Sequence, residues 1–195
     1  MSGLFGHVDQ NNDDQHEQSQ NDETQQTESI NDNQQNDAEV SQHSVTEEQA
    51  GRYSVGIDLG TTHCVLSYVD LTKDEDELVQ QVMAIPQLTS PGVVEDKQQL
   101  PSFLYLHHEA EIAEGSISLP WTEKSDYLLG DIARNLGSKT PIRLVSSAKS
   151  WLCHAGIDCK EAILPSEAPE DVKRVSPFLA TQAYLQHLKN AWQLA

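Results

Sequence analysis

Basic residues are scarce in this chain: 12 Lys and Arg stand against 31 Asp and Glu, for a formal net charge of −19. That balance argues against nucleic acid and anionic membrane as partners, since both are held by clustered Lys and Arg. Cysteine is nearly missing as well. Cys64, Cys153 and Cys159 are odd in number and form no CxxC pair, which argues against a disulfide framework and agrees with a reducing compartment. Cys153-His154 with Cys159 five residues on offers too few ligands at metal-binding spacing, and His107-His108 reads as an exposed loop pair. No apolar run approaches the length of a transmembrane span. Met1–Gly6 lacks the charged start and long apolar core of a secretory leader, so the expected location is the cytoplasm. Internal repeats are absent too.

The acidity is unevenly spread. Residues 1–50 hold ten Gln, six Asn, six Asp and six Glu, with no Lys or Arg, and so carry twelve of the nineteen net negative charges. Large apolar residues there are few: Leu4 and Phe5, then isolated Val and Ile. Such a segment buries too little surface to offset its ordering entropy, so the expectation is a disordered, acidic, Gln/Asn-rich tail. It serves as a solvated linker or, alternatively, as an interaction tail. Residues 51–195 carry the remaining charge of −7 and all three Trp, and fit one domain of ordinary size or part of a larger one.

Within that second part, Val55–Leu59 and Cys64–Val69 read as strands, and Leu78–Ile85 as a third strand ended by Pro86. Thr89-Ser90-Pro91-Gly92 reads as a loop. Phe103–Leu106 is a short continuous apolar run expected to be a buried strand, residues 107–126 are irregular and acidic, and Tyr127–Gly130 is a short strand and turn. Asp131 is expected to cap a short helix, 132–136, closed by Gly137. Val145, Ala148, Trp151 and Leu152 share one face of an expected helix over 145–154, stopped by Gly156. Residues 161–174 make a charged, Pro-containing connection. Ser176-Pro177 opens a strong helix with Ser as its cap and Pro in its first turn. Its expected apolar stripe is Phe178, Leu185, Leu188, Trp192 and Ala195, with Thr181 on the same face and Tyr184 at its edge.

The stretch Gly56-Ile57-Asp58-Leu59-Gly60-Thr61-Thr62 carries the most chemistry. It reads as a strand running into a tight Gly-Thr-Thr turn. Gly60 lets the backbone bend sharply and approach a ligand, since it has no Cβ. The consecutive N–H groups of Gly60, Thr61 and Thr62 can form an anion-binding concavity, and the two hydroxyls add donors and acceptors. Asp58, at the strand end, can face a hydrated magnesium ion. The plain alternative is an ordinary hairpin, because Gly, Thr and Asp are common turn residues.

In order along the chain, that motif is followed by Leu100-Pro101-Ser102-Phe103, Leu129-Gly130-Asp131-Ile132-Ala133-Arg134, Ala148-Lys149-Ser150-Trp151-Leu152 and Val175-Ser176-Pro177. The ordered set resembles the start of the nucleotide-binding domain of heat-shock-70 (DnaK-like) chaperones, within the actin-like ATPases. The resemblance covers about residues 53–193. It implies an α/β, ribonuclease H-like first lobe, a mixed sheet with flanking helices, incomplete, behind the disordered tail. His63 stands where the family has Asn, Ser150-Trp151 replaces its Arg-Leu, and residues 71–78 and 107–126 look like insertions, so the chain reads as a divergent relative. The family's second phosphate motif, adenosine motif, hinge carboxylates and peptide-binding domain have no counterpart here, which reads as a fragment or a truncated product.

The resemblance implies ATP and magnesium as ligands, with unfolded polypeptide clients and co-chaperones as partners of a full-length parent. Gly60, Thr61 and Thr62 are expected to hold the β- and γ-phosphates, and Asp58 to position magnesium through water. Lys149, at the family's catalytic-lysine position, is expected to place its charge beside the γ-phosphate and the attacking water. His63 either donates to phosphate or is an exposed turn histidine. Cys64 reads as a small packed residue outside the site. Little or no hydrolysis is expected of the chain alone. Two other readings remain at this point: a sugar kinase of the same fold, which shares the hairpin but not the later landmarks, and a non-enzymatic truncated binding module.

Overall fold

Alternation of apolar and polar residues on either side of Gly60 produces a hairpin. Strand β1, Tyr53–Leu59, pairs antiparallel with β2, His63–Asp70, in unbroken register from Tyr53↔Asp70 to Leu59↔Cys64. The computed structural model describes residues 51–113 and 115–195, so the acidic tail expected over 1–50 lies outside the described residues. All described residues fall within one unit, Glu47–Ala195.

On its other edge β2 pairs with β3, Gln81–Val82, and with β6, Leu100–Pro101. Between these two, β4, Ile85–Ser90, and β5, Val93–Lys97, form a separate hairpin. A third sheet has β7, Phe103–Tyr105, at its centre, flanked by β8, Leu128–Leu129, and β9, Leu144–Ser146. Every strand pair among the described residues is antiparallel. Two helices complete the frame: α1, Asp131–Gly137, and α2, Pro177–Leu194. No helix among the described residues is long and apolar enough to cross a membrane.

Because successive strand residues face opposite ways, Leu59, Ile57, Val55 and Tyr53 share a face with Cys64, Leu66 and Tyr68. Cys64 and Leu66 are buried there beneath α2, in a core with Ile85, Leu100, Leu104 and Leu188. Tyr53, Tyr68 and Trp192 meet with ring centroids 5.4–5.7 Å apart, in mutually edge-on or tilted arrangements; this geometry suits aromatic quadrupoles and fixes the end of α2 over the start of β1. Val55 and Ile57 lie beyond the helix and stay 43% and 48% exposed. A second cluster, Leu88, Tyr105, Leu128, Ile132 and Ala133, packs under α1.

Four local expectations are corrected. The strand expected over 78–85 is only the two-residue β3, and Pro86 does not end a strand: it lies inside β4, opposite Asp96. The expected loop at Thr89–Gly92 is instead the tight turn of the β4–β5 hairpin, with Gly92 at φ 75°, a conformation a glycine adopts without a Cβ penalty. The helix expected over 145–154 is a strand followed by a single 3-10 turn, Ala148–Trp151. Val145 pairs with Leu104 in β9, and Ser147 turns left-handed at φ 54°, which breaks any continuous helix. A 3-10 turn repeats every three residues, so Ala148 and Trp151 mimic helical spacing.

The fourth correction concerns the buried stripe of α2. Ser176 caps the helix as expected, its Oγ accepting from the Leu179 N–H at 3.0 Å. Phe178 and Leu185 are exposed, however, and the face against the sheet is Ala180, Ala183, Tyr184, His187, Leu188 and Ala191. Leu188, Thr181 and Tyr184 are buried as expected.

Candidate functional site

The bend between β1 and β2 consists of Gly60, Thr61 and Thr62. A Cβ on Gly60 would overlap the His63 carbonyl, so the bend requires glycine for space. Among the described residues no protein acceptor takes the backbone N–H of Thr61 or Thr62, and both residues are exposed. Two adjacent amides therefore stand unspent at the crest of the turn, and unpaired N–H groups of this kind are anion ligands. The Gly60 N–H differs from these two in acting on the Cys64 thiol, whose pKa it lowers.

One side chain holds the bend from beneath. Ser102 is 3% exposed and lies at the crossover where the chain leaves β6 and enters β7. Its N–H donates to the Thr62 carbonyl at 2.8 Å. Its Oγ donates to the Gly60 carbonyl at 2.9 Å. The Cys64 sulfur lies 3.3 Å from the same Oγ. A serine hydroxyl has one hydrogen, and that hydrogen serves Gly60, so the thiol is the donor to Ser102. Burial raises the Cys64 thiol above its usual range, which keeps it protonated and able to donate.

Asp58 and Lys149 are the two charged residues expected at this bend. Asp58 is exposed at the end of β1, opposite Val65. Lys149 is exposed on the 3-10 turn whose neighbour Ala148 is a buried plug against α2. The Cys64 thiol feels both charges, the Asp58 carboxylate raising it and the Lys149 ammonium lowering it. The two groups that act on this thiol are separated by 90 residues in sequence. Neither has a salt-bridge partner among the described residues.

His63 is placed differently. It lines a shallow depression of about 340 Å³ with Lys97, Gln98, Gln99, Pro101, Asp131 and Arg134. There Arg134 is paired with Asp131 at 2.6 Å. Another hollow, of about 280 Å³, lies against α2 between Leu88, Trp121, Tyr127 and His187, and none of the residues expected in the site lines it. Asp58, Thr61, Thr62 and Lys149 are exposed and Gly60 is half-buried, and none of the five lines either hollow.

The described residues hold no cluster of three His, Cys, Asp or Glu able to bind a metal ion. A protein-caged metal does not fit. A hydrated magnesium ion carried on phosphates does fit, because it keeps most of its waters and needs only one or two carboxylates; Asp58 is the residue that would meet it. Sequence reasoning passed over Ser102 as a binding element and treated Cys64 as packing alone. The signal for Ser102 was its place in Pro101-Ser102, a polar residue entering an otherwise apolar strand. No family model, curated protein or solved structure matches this chain.

Proposed function

We propose that the β1–β2 bend is the phosphate-binding element of a heat-shock-70-like, actin-like ATP site, with Asp58 on the magnesium side and Lys149 on the γ-phosphate side. The observation that carries this reading is the pair of unspent amides at Thr61 and Thr62, at a bend whose Cys64 thiol is acted on by both the Asp58 carboxylate and the Lys149 ammonium. The ordered landmarks from Gly56 to Pro177 support the same assignment. Phosphoryl transfer asks little covalent chemistry of a protein. It needs a held triphosphate, compensated charge and an aligned water.

The division of labour follows from the residue types. The Thr61 and Thr62 amides and hydroxyls donate to β- and γ-phosphate oxygens. Asp58 would accept from the water shell of a magnesium ion carried on the phosphates, an ion that would supply charge compensation there. The Lys149 ammonium orients the terminal phosphate and the water that attacks it. In a full-length parent, such hydrolysis would be coupled to holding and releasing unfolded polypeptide. Asp58, Thr61, Thr62 and Lys149 are exposed to solvent, so they bind phosphate without excluding water. Weak binding and slow turnover are accordingly expected of this chain alone.

The test is calorimetric titration of the full chain with Mg·ATP, Mg·ADP and adenosine. Wild type should bind Mg·ATP better than Mg·ADP and show no measurable affinity for adenosine. Lys149→Ala should bind Mg·ADP unchanged and lose its preference for ATP, a change of about threefold to fivefold for one exposed charge pair. Absence of Mg·ATP binding at millimolar concentration, or equal binding of adenosine, defeats the reading.

A further inference from the structure

Ser102 is tied to both ends of the bend, and nothing else among the described residues is. Its N–H holds the Thr62 carbonyl and its Oγ holds the Gly60 carbonyl, so the three-residue turn is gripped on each side of Thr61. Both acceptors are carbonyls, and fixing a carbonyl fixes the peptide plane it belongs to. The Gly60 carbonyl shares its plane with the Thr61 N–H, and the Thr62 carbonyl shares its plane with the His63 N–H. The serine thereby sets the direction in which the crest amide of Thr61 points, without touching a ligand itself.

The grip comes from a rigid place. Leu100 and Pro101 pair with β2, and Phe103 and Tyr105 lie in the third sheet, with Leu100, Leu104 and Tyr105 fully buried. Ser102 is therefore anchored on both sides by the core and cannot follow the turn if the turn moves. The turn's own strand, β1, is the weakest support in the neighbourhood, since each of its residues from Tyr53 to Asp58 is exposed. Without the serine hydroxyl the bend would hang from an exposed edge strand and from the N–H of residue 102 alone. Cys64 completes the chain of donors, thiol to hydroxyl to carbonyl, and occupies one acceptor position of the Ser102 oxygen.

We infer that Ser102 is the positioning residue of the phosphate turn: it acts through the Gly60 and Thr62 carbonyls, on either side of Thr61, to hold the Thr61 crest amide and the ends of the turn in the arrangement that takes a nucleotide's phosphates. This rests on the nucleotide reading above and adds a residue to it. Ser102→Ala removes the Oγ grip and leaves the N–H grip. Ser102→Thr returns a hydroxyl to the same place. Leu66→Val is the packing control, because it trims a buried side chain of the same strand, β2, and leaves Ser102 alone.

The experiment measures two things on the full chain: backbone ¹⁵N order parameters at Gly60–His63 without ligand, and the Kd for Mg·ATP. In Ser102→Ala the order parameters at Thr61 and Thr62 should drop to below about 0.6, the range of flexible backbone. The Kd for Mg·ATP should rise about tenfold, the loss expected from one net hydrogen bond at the upper end of its usual value. Ser102→Thr should restore both. Leu66→Val should lower the melting temperature and move neither. Unchanged order at the turn in Ser102→Ala overturns the proposal. So does a Kd for Leu66→Val that rises as much as that for Ser102→Ala, which would make the effect one of general packing. If wild type binds Mg·ATP and Ser102→Ala binds it equally, the positioning role fails while the nucleotide reading stands. If wild type does not bind, both fall.

Discussion

Moving from about pH 7.5 to pH 5 puts a proton on His187 in the unfolded chain but not in the folded one, and the chain should lose stability in proportion. His187 is 5% exposed, and its Nε2–H donates to the Pro86 carbonyl at 2.9 Å while its ring lies edge-on to Trp121. Burial holds the imidazole neutral and lowers its pKa from 6.5 to about 4; the Pro86 carbonyl opposes that shift only weakly. No charged side chain contributes to the shift. The sign follows from proton counting. Between pH 6.5 and 4 the unfolded state carries the proton and the folded state does not, so stability is complete above 6.5 and falls as pH drops through the window. Each pH unit inside it costs about 1.4 kcal/mol, so the loss reaches about 2 kcal/mol at pH 5 and levels off near 3 kcal/mol.

Urea denaturation at the two pH values measures this directly, with His187→Gln as the partner experiment. The glutamine amide can donate to the Pro86 carbonyl but does not titrate. Its overall stability should be lower at both pH values because the contact with Trp121 is lost, but it should lack the extra 2 kcal/mol of pH dependence. Asp70 does not confuse the comparison. Donors from Thr72, and then Arg52, hold its carboxyl at about 2, so its contribution disappears only below about pH 3.8, outside this window. Equal pH dependence in wild type and His187→Gln would refute the reasoning, because the loss would then come from groups other than the buried imidazole.

Three further perturbations address separate parts of the structure. Gly60→Ala should leave the α2 core folded by near-UV circular dichroism and abolish measurable Mg·ATP binding by calorimetry, because a Cβ there meets the His63 carbonyl and must open the bend. Gln87→Leu should cost about 2–4 kcal/mol in urea denaturation: this fully buried amide donates to the Gln99 carbonyl at 2.8 Å and accepts from the Asp131 N–H at 3.2 Å, and leucine leaves both without a partner. Tyr184→Phe should be neutral or stabilising by up to about 1 kcal/mol, since the buried phenol oxygen has no partner among the described residues; a loss above 1 kcal/mol in the same assay would contradict that account.

Features written within a few residues were legible from sequence, and features made by distant partners were not. The β1–β2 hairpin follows from alternation on both sides of Gly60, and the start of α2 from Ser176-Pro177, both local patterns. The Gly130 turn was legible too, at φ 74° before α1, where a Cβ would collide with Gln87 and Leu100. The β4–β5 hairpin was missed because Pro86 and Pro91 read as breaks, when one sits in a strand and the other in its turn. The buried face of α2 was read in part: Leu188, Thr181 and Tyr184 are buried as expected, whereas Phe178 and Leu185 are exposed and Ala180, Ala183 and Ala191 are buried, which side-chain size alone does not reveal. In the candidate site, Asp58, Gly60, Thr61 and Thr62 were found through a contiguous motif. Lys149 needed the ordered landmarks, and Ser102 is 42 residues from the carbonyl it holds.

These differences in legibility bear on how the site works. The residues that would touch phosphate lie on the turn and on an edge strand with both faces exposed, whereas the groups that fix their direction lie in the core: Ser102, Cys64 and the strand entry through Leu104. A ligand that binds only the ordered turn stabilises that state by mass action. The stabilisation should therefore appear first in β1 and the bend, whose local opening is less costly than unfolding the α2 core. Binding strength and core stability are thus separable quantities in this fold. The link between them is the short path from the Cys64 thiol through the Ser102 hydroxyl to the Gly60 carbonyl, because among the described residues it is the one set of side-chain hydrogen bonds joining the buried layer to the bend.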